Sequence, residues 1–75
     1  MNISDIGNEM AILNIPSNAF SIGDQTQDES LCIGEKNGCL EVFYYERGIK
    51  TGPRVFKEEH EACENFLFII KSWFM

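Results

Sequence analysis

The dipeptide Asn37-Gly38 constrains this chain more than any other feature of its sequence. It stands between Leu31-Cys32-Ile33-Gly34-Glu35 and Cys39-Leu40-Glu41-Val42-Phe43-Tyr44-Tyr45-Glu46-Arg47, two runs rich in β-branched and aromatic residues. A type I′ turn needs positive φ at both central residues, and Asn-Gly meets that need at least cost, so the pattern predicts a β-hairpin. Along the second run Leu40, Val42 and Tyr44 point one way, towards an expected core, while Glu41, Phe43 and Tyr45 point the other. That second set would leave two aromatics together on an uncovered face. Gly48 turns the chain, and residues 50–56 can return as a further antiparallel strand. Gly52-Pro53 confines that strand to an edge or a bulge, because proline donates no ladder hydrogen bond.

The flanking segments follow a helical period instead. Ile3, Ile6, Met10 and Leu13 are spaced three, four and three residues apart, which predicts a short amphipathic helix over residues 3–13 lying on the sheet. Asn2 or Ser4 can cap it, and Ile15-Pro16 closes it because the residue before proline is pushed out of the α region. After the Ser17-Asn18 turn, Ala19-Phe20-Ser21-Ile22 reads as a short edge strand. Residues 23–29 are polar throughout and read as an exposed acidic loop. From Glu58 onward, Glu59, Ala62, Cys63, Phe66, Ile69, Ile70 and Trp73 recur at about 100° per residue. This is the main helix, with Glu58, Glu59 and Glu61 in its first turn and Lys71 in its last, matching the helix dipole. Phe68 falls outside the stripe. The expected fold is a single α+β domain over residues 1–75. Its parts are a short N-terminal helix, a three- to four-stranded antiparallel sheet with the Asn-Gly hairpin, and a C-terminal helix packed on the sheet.

Charge narrows the function classes. Twelve Asp and Glu against six Lys and Arg give a net charge of −6, the wrong sign for gripping nucleic acid or an anionic membrane. A basic protein is the expected partner. The first residues lack the positive and continuous apolar regions of a secretory signal, and the longest apolar run, Phe66 to Ile70, is far short of the about 20 residues that span a bilayer. A cytoplasmic location is therefore expected. Three cysteines, Cys32, Cys39 and Cys63, are an odd number without a two-residue spacing, and read as buried, reduced thiols rather than zinc ligands.

No catalytic constellation stands out. The one histidine, His60, is flanked by Glu58, Glu59 and Glu61 at a helix start and reads as solvated, so no nucleophile has an evident base. No phosphate-binding glycine loop or calcium loop is present, and neither metal nor cofactor is expected. What remains is a binding surface. The candidate partner-binding residues are Asp24, Asp28 and Glu29 on the acidic loop with Glu41, Phe43 and Tyr45 on the strand.

The stretch Tyr44-Tyr45-Glu46-Arg47-Gly48-Ile49-Lys50, followed by Phe56 and by Glu59-His60-Glu61-Ala62-Cys63-Glu64-Asn65-Phe66-Leu67, resembles a family of small bacterial immunity proteins. These are encoded beside polymorphic or contact-dependent growth-inhibition toxins. The earlier Ile15-Pro16-Ser17-Asn18-Ala19-Phe20-Ser21-Ile22-Gly23 is similar to the segment that precedes their acidic loop, so the likeness spans most of residues 13–67. The chain departs from the pattern where Tyr45 runs directly into Glu46 and where Lys57 stands in place of a helix-capping residue. The resemblance implies a non-enzymatic inhibitor, a monomer or a 1:1 heterodimer with one cognate toxin domain, frequently a nuclease. Two alternatives carry the same acidic surface: a small adaptor, or a nucleic-acid mimic that regulates a host or phage protein. Within the shared stretch, Arg47 and Glu59 are expected to pair across the junction between strand and helix.

Overall fold

A computed structural model of the chain describes residues 2–23 and 27–74. In chain order the elements are α1 (Ile3–Ile12), β1 (Phe20–Ile22), β2 (Ser30–Lys36), β3 (Cys39–Glu46), β4 (Ile49–Phe56) and α2 (Glu59–Phe74). The strands form one sheet in the order β1-β2-β3-β4, giving an α+β fold. β2 and β3 pair antiparallel with Lys36 opposite Cys39, and Asn37 and Gly38 between them hold φ of 52° and 80°. β3 and β4 are also antiparallel. Their register shifts because Val42 faces Arg54 and Tyr44 faces Thr51, so Gly52 and Pro53 together stand against Phe43 alone. Gly52 supplies the positive φ of 58° that this bulge uses, and Pro53 sits on the edge strand where no partner asks for its missing N–H.

The all-antiparallel expectation is corrected at β1, which runs parallel to β2 with Phe20 opposite Leu31 and Ile22 opposite Ile33. A parallel neighbour ordinarily needs a crossover of a dozen or more residues. Here β1 is only three residues long, about 10 Å of strand at 3.3 Å per residue, so the short connection over residues 23–29 suffices to bring the chain back. Gln27 ties that return down. Its side chain donates to the carbonyls of Ser17 and Phe20, each at 3.1 Å, and its backbone N–H donates to Ser21 Oγ at 2.9 Å. The Ser30 hydroxyl gives its one hydrogen to the Gln27 carbonyl at 2.7 Å, so the Ser21 hydroxyl must donate across the 2.9 Å contact to Ser30 Oγ. Both buried hydroxyls are thereby satisfied.

α1 begins with a reciprocal capping box, in which Asn2 Oδ1 accepts from the Asp5 N–H and the Asp5 carboxylate accepts from the Asn2 N–H, each at 3.1 Å. It ends in a Schellman motif. The Ile15 N–H reaches the Met10 carbonyl at 3.0 Å and the Asn14 N–H reaches Ala11 at 3.2 Å, with Asn14 at φ 58° in the left-handed position. The helix was expected to lie on the sheet. It packs chiefly against α2, sending Ile6 and Met10 into the shared core with Leu31, Ile33 and Val42. α2 buries Ala62, Cys63, Phe66, Leu67 and Ile70, so the predicted stripe shifts slightly to include Leu67, while Glu59 and Trp73 at its two ends stay exposed. The Glu59 carboxylate accepts from the backbone N–H of Ile3. This corrects the expected Arg47–Glu59 pair: Glu59 joins α2 to α1, and no ion pair links it to Arg47 among the described residues.

Cys32 and Cys63 are buried and Cys39 is half-buried, all three as free thiols, so burial of the whole set is corrected at Cys39, beside the hairpin turn. Burial first, and then the Glu59 charge, push the Cys63 thiol upward, which keeps it protonated and unreactive. A thiol-alkylating reagent applied to the native protein should modify Cys39 first, with Cys32 and Cys63 reacting only at the rate of unfolding. Intact mass over time checks this. A rapid threefold modification would show that the two buried sites open freely.

Candidate partner-binding groove

The predicted partner residues divide between the two faces of the sheet. Ser30, Cys32 and Gly34 of β2 lie opposite Tyr45, Phe43 and Glu41 of β3, on the face turned away from the core. Glu41 and Phe43, expected to be exposed there, are buried, with only 6% and 8% of their surface accessible. The cover is Lys50. It pairs directly with Tyr45, and the bulge leaves Phe43 with no single residue opposite, so Lys50 lies diagonally across the gap. Its ammonium sits 4.5 Å from the Phe43 ring centroid and 2.7 Å from Glu41 Oε1. Ring, carboxylate and ammonium satisfy one another, so neither Glu41 nor Phe43 presents a free group on this face. Tyr45 is half-buried on the same face. The sequence showed only the alternation of β3; it held no sign that a lysine nine positions on would be delivered by a bulge.

On the loop, Asp24 lies outside the described residues. The Asp28 carboxylate accepts from the backbone N–H of Arg47, where φ is 52°, and so holds the β3–β4 turn against the start of β2. Glu29 is different. It faces the helix side and lines an open groove of about 440 Å³ together with Ala19, Tyr44, Trp73 and Phe74.

The groove follows from the element ends. Tyr44 lies opposite Leu31 and so points to the core side of β3, where α2 passes above it. Phe66, Ile70 and Trp73 recur along one face of α2 at steps of four and three, and the last of them reaches the sheet at Tyr44. The two rings meet edge to face, with centroids 5.5 Å apart and planes at 88°, a favoured aromatic arrangement. Packing stops there. Trp73 keeps 45% of its surface exposed and Phe74 keeps 46%. Glu29 forms the wall from a left-handed backbone at φ 57°, a conformation uncommon for a residue with a β-carbon.

The groove is both aromatic and negative. Partial burial, followed by the charges of Glu46, Glu29 and Asp28 in that order, pushes the Tyr44 phenol above its ordinary value. It therefore stays neutral at physiological pH and is available as a hydrogen-bond donor. An open apolar floor with the Glu29 carboxylate at its side can seat a cationic or amphipathic side chain of another protein. Of its residues the sequence reading named Glu29 alone, because Trp73 reads as one more member of a buried stripe. The available signal was positional, two aromatics side by side at the end of a helix, where burial is least complete.

His60 is exposed, with Nδ1 3.8 Å from a carboxylate oxygen of Glu58, and no cluster of three His, Cys, Asp or Glu suited to a metal occurs among the described residues. Among the same residues no helix is long and apolar enough to cross a membrane. No family model, curated protein or solved structure matches this chain.

Proposed function

We propose that this protein is an immunity protein that binds one cognate bacterial toxin domain and neutralises it stoichiometrically, in the cytoplasm of the producing cell and without catalysis. The observation that carries the proposal is the groove at the end of α2, where exposed Trp73 and Phe74 stand beside Tyr44 and the carboxylate of Glu29. Exposed aromatics flanked by charge are the material of binding hot spots. The net charge of −6 suits a basic toxin such as a nuclease, whose substrate cleft is positive, and speeds encounter with it. The resemblance over residues 13–67 points the same way.

The test is co-expression with the product of the adjacent upstream gene. Co-purification in a 1:1 ratio and rescue of growth are expected. Trp73→Ala should weaken the complex by about 2 kcal/mol, roughly 30-fold in Kd, as truncation of an aromatic anchor does. His60→Ala should protect as well as the wild type. A His60→Ala variant that binds the toxin normally and yet fails to protect would overturn the non-catalytic reading.

A further inference from the structure

We infer that the groove between Trp73 and Glu29 receives an arginine side chain from the surface of the partner protein. The inference rests on the binding role proposed above and names the chemistry of its central contact. Three properties of the groove select that occupant. Its floor is made of rings: Tyr44 and Trp73 are fixed edge to face at 5.5 Å, and Phe74 continues the surface outward. A planar guanidinium stacks on such rings, whereas an ammonium ion is compact and holds its water more strongly. Among the described residues its wall bears one charge, the carboxylate of Glu29, and no cationic side chain. An apolar occupant would cover that carboxylate without a partner and an acidic one would be repelled, while a guanidinium meets it with a pair of parallel hydrogen bonds. The volume of about 440 Å³ lies within the range of specific ligand sites and admits the side chain together with part of the backbone that presents it. A second cleft, about 190 Å³ beside Phe43, already contains the paired Lys50 and Glu41 and selects no charge.

The chain contains a single tryptophan, so the indole N–H resonance of Trp73 reports the groove alone. We would titrate ¹⁵N-labelled protein at constant ionic strength with the N-acetyl methylamides of arginine, lysine and citrulline, the last being a neutral near-isostere of arginine. The arginine derivative should shift the indole signal with a Kd in the millimolar range, at least about 5-fold tighter than lysine and about 10-fold tighter than citrulline. Glu29→Gln, checked as folded by the dispersion of its own spectrum, should bring arginine to the level of citrulline. Phe68→Ala, on the far side of the helix, should change nothing. Should Glu29→Gln not fold, raising the salt in the wild-type titration from about 0.05 M to about 0.5 M gives the second reading, and arginine binding should weaken several-fold. Equal affinity for arginine and citrulline, equal affinity for arginine and lysine, or no movement of the indole signal would each refute the assignment. Because the titration contains no toxin, its failure alongside successful co-purification removes only the arginine contact. The opposite result removes only the toxin.

Discussion

Phe66→Ala is expected to cost about 3–5 kcal/mol of folding stability, while Phe68→Ala, two residues along the same helix, costs less than about 0.5 kcal/mol. Phe66 has 0% of its surface exposed and Phe68 has 74%, so the same truncation opens a cavity at one site and removes a solvated ring at the other. For 75 residues the whole stability is roughly 4–11 kcal/mol, and the first variant should consume a large share of it. Urea denaturation followed by circular dichroism gives both values, read as a change in midpoint at constant slope. Equal losses at the two positions would mean that α2 is rotated from the register described.

Lys50→Met is expected to destabilise by about 1–3 kcal/mol, the second largest effect. Methionine retains the aliphatic cover over Phe43 but leaves Glu41 buried without its cation. Breaking a fully buried ion pair costs about 3–5 kcal/mol, and the expected figure is smaller because the Lys50 side chain is 35% exposed and water screens part of the charge. Combining Lys50→Met with Glu41→Gln should recover part of the loss, since an amide tolerates burial better than an unpaired carboxylate. Thermal or urea unfolding of the two single variants and the double variant measures the coupling. If Lys50→Met unfolds like the wild type, the ion pair contributes nothing, and the outer face is held by Ser21, Ser30 and Cys32 alone.

These two experiments separate what could be read from the chain in order from what could not. The stripe from Ala62 to Ile70 implied a helix whose buried face includes Phe66 and excludes Phe68, because a period of 3.6 residues is a property of consecutive positions. No such property places Lys50 over Phe43. That contact depends on a bulge that sets two residues of β4 against one of β3, and on the direction in which a long flexible side chain then falls. The exposure expected of Glu41 and Phe43 is not met for this reason: alternation says which residues share a face, and not whether another strand supplies its cover.

The sequence by itself determined the features that rest on local backbone chemistry. Asn37-Gly38 accepts the positive φ that joins two strands, Asn2 or Ser4 offers a cap for α1, Ile15-Pro16 lies where that helix ends, and Gly52-Pro53 keeps β4 at an edge. Each depends on a few adjacent residues and on steric limits that hold in any context. Tertiary structure alone decided the parallel placement of β1, the packing of α1 against α2, the engagement of Glu59 with Ile3, and the meeting of Tyr44, Trp73 and Glu29 in one groove. Those residues are distant in the chain and are brought together by burial of the shared core. Burial rewards apolar area without regard to direction, so it specifies that elements pack while their lengths and ends settle which side chains remain outside.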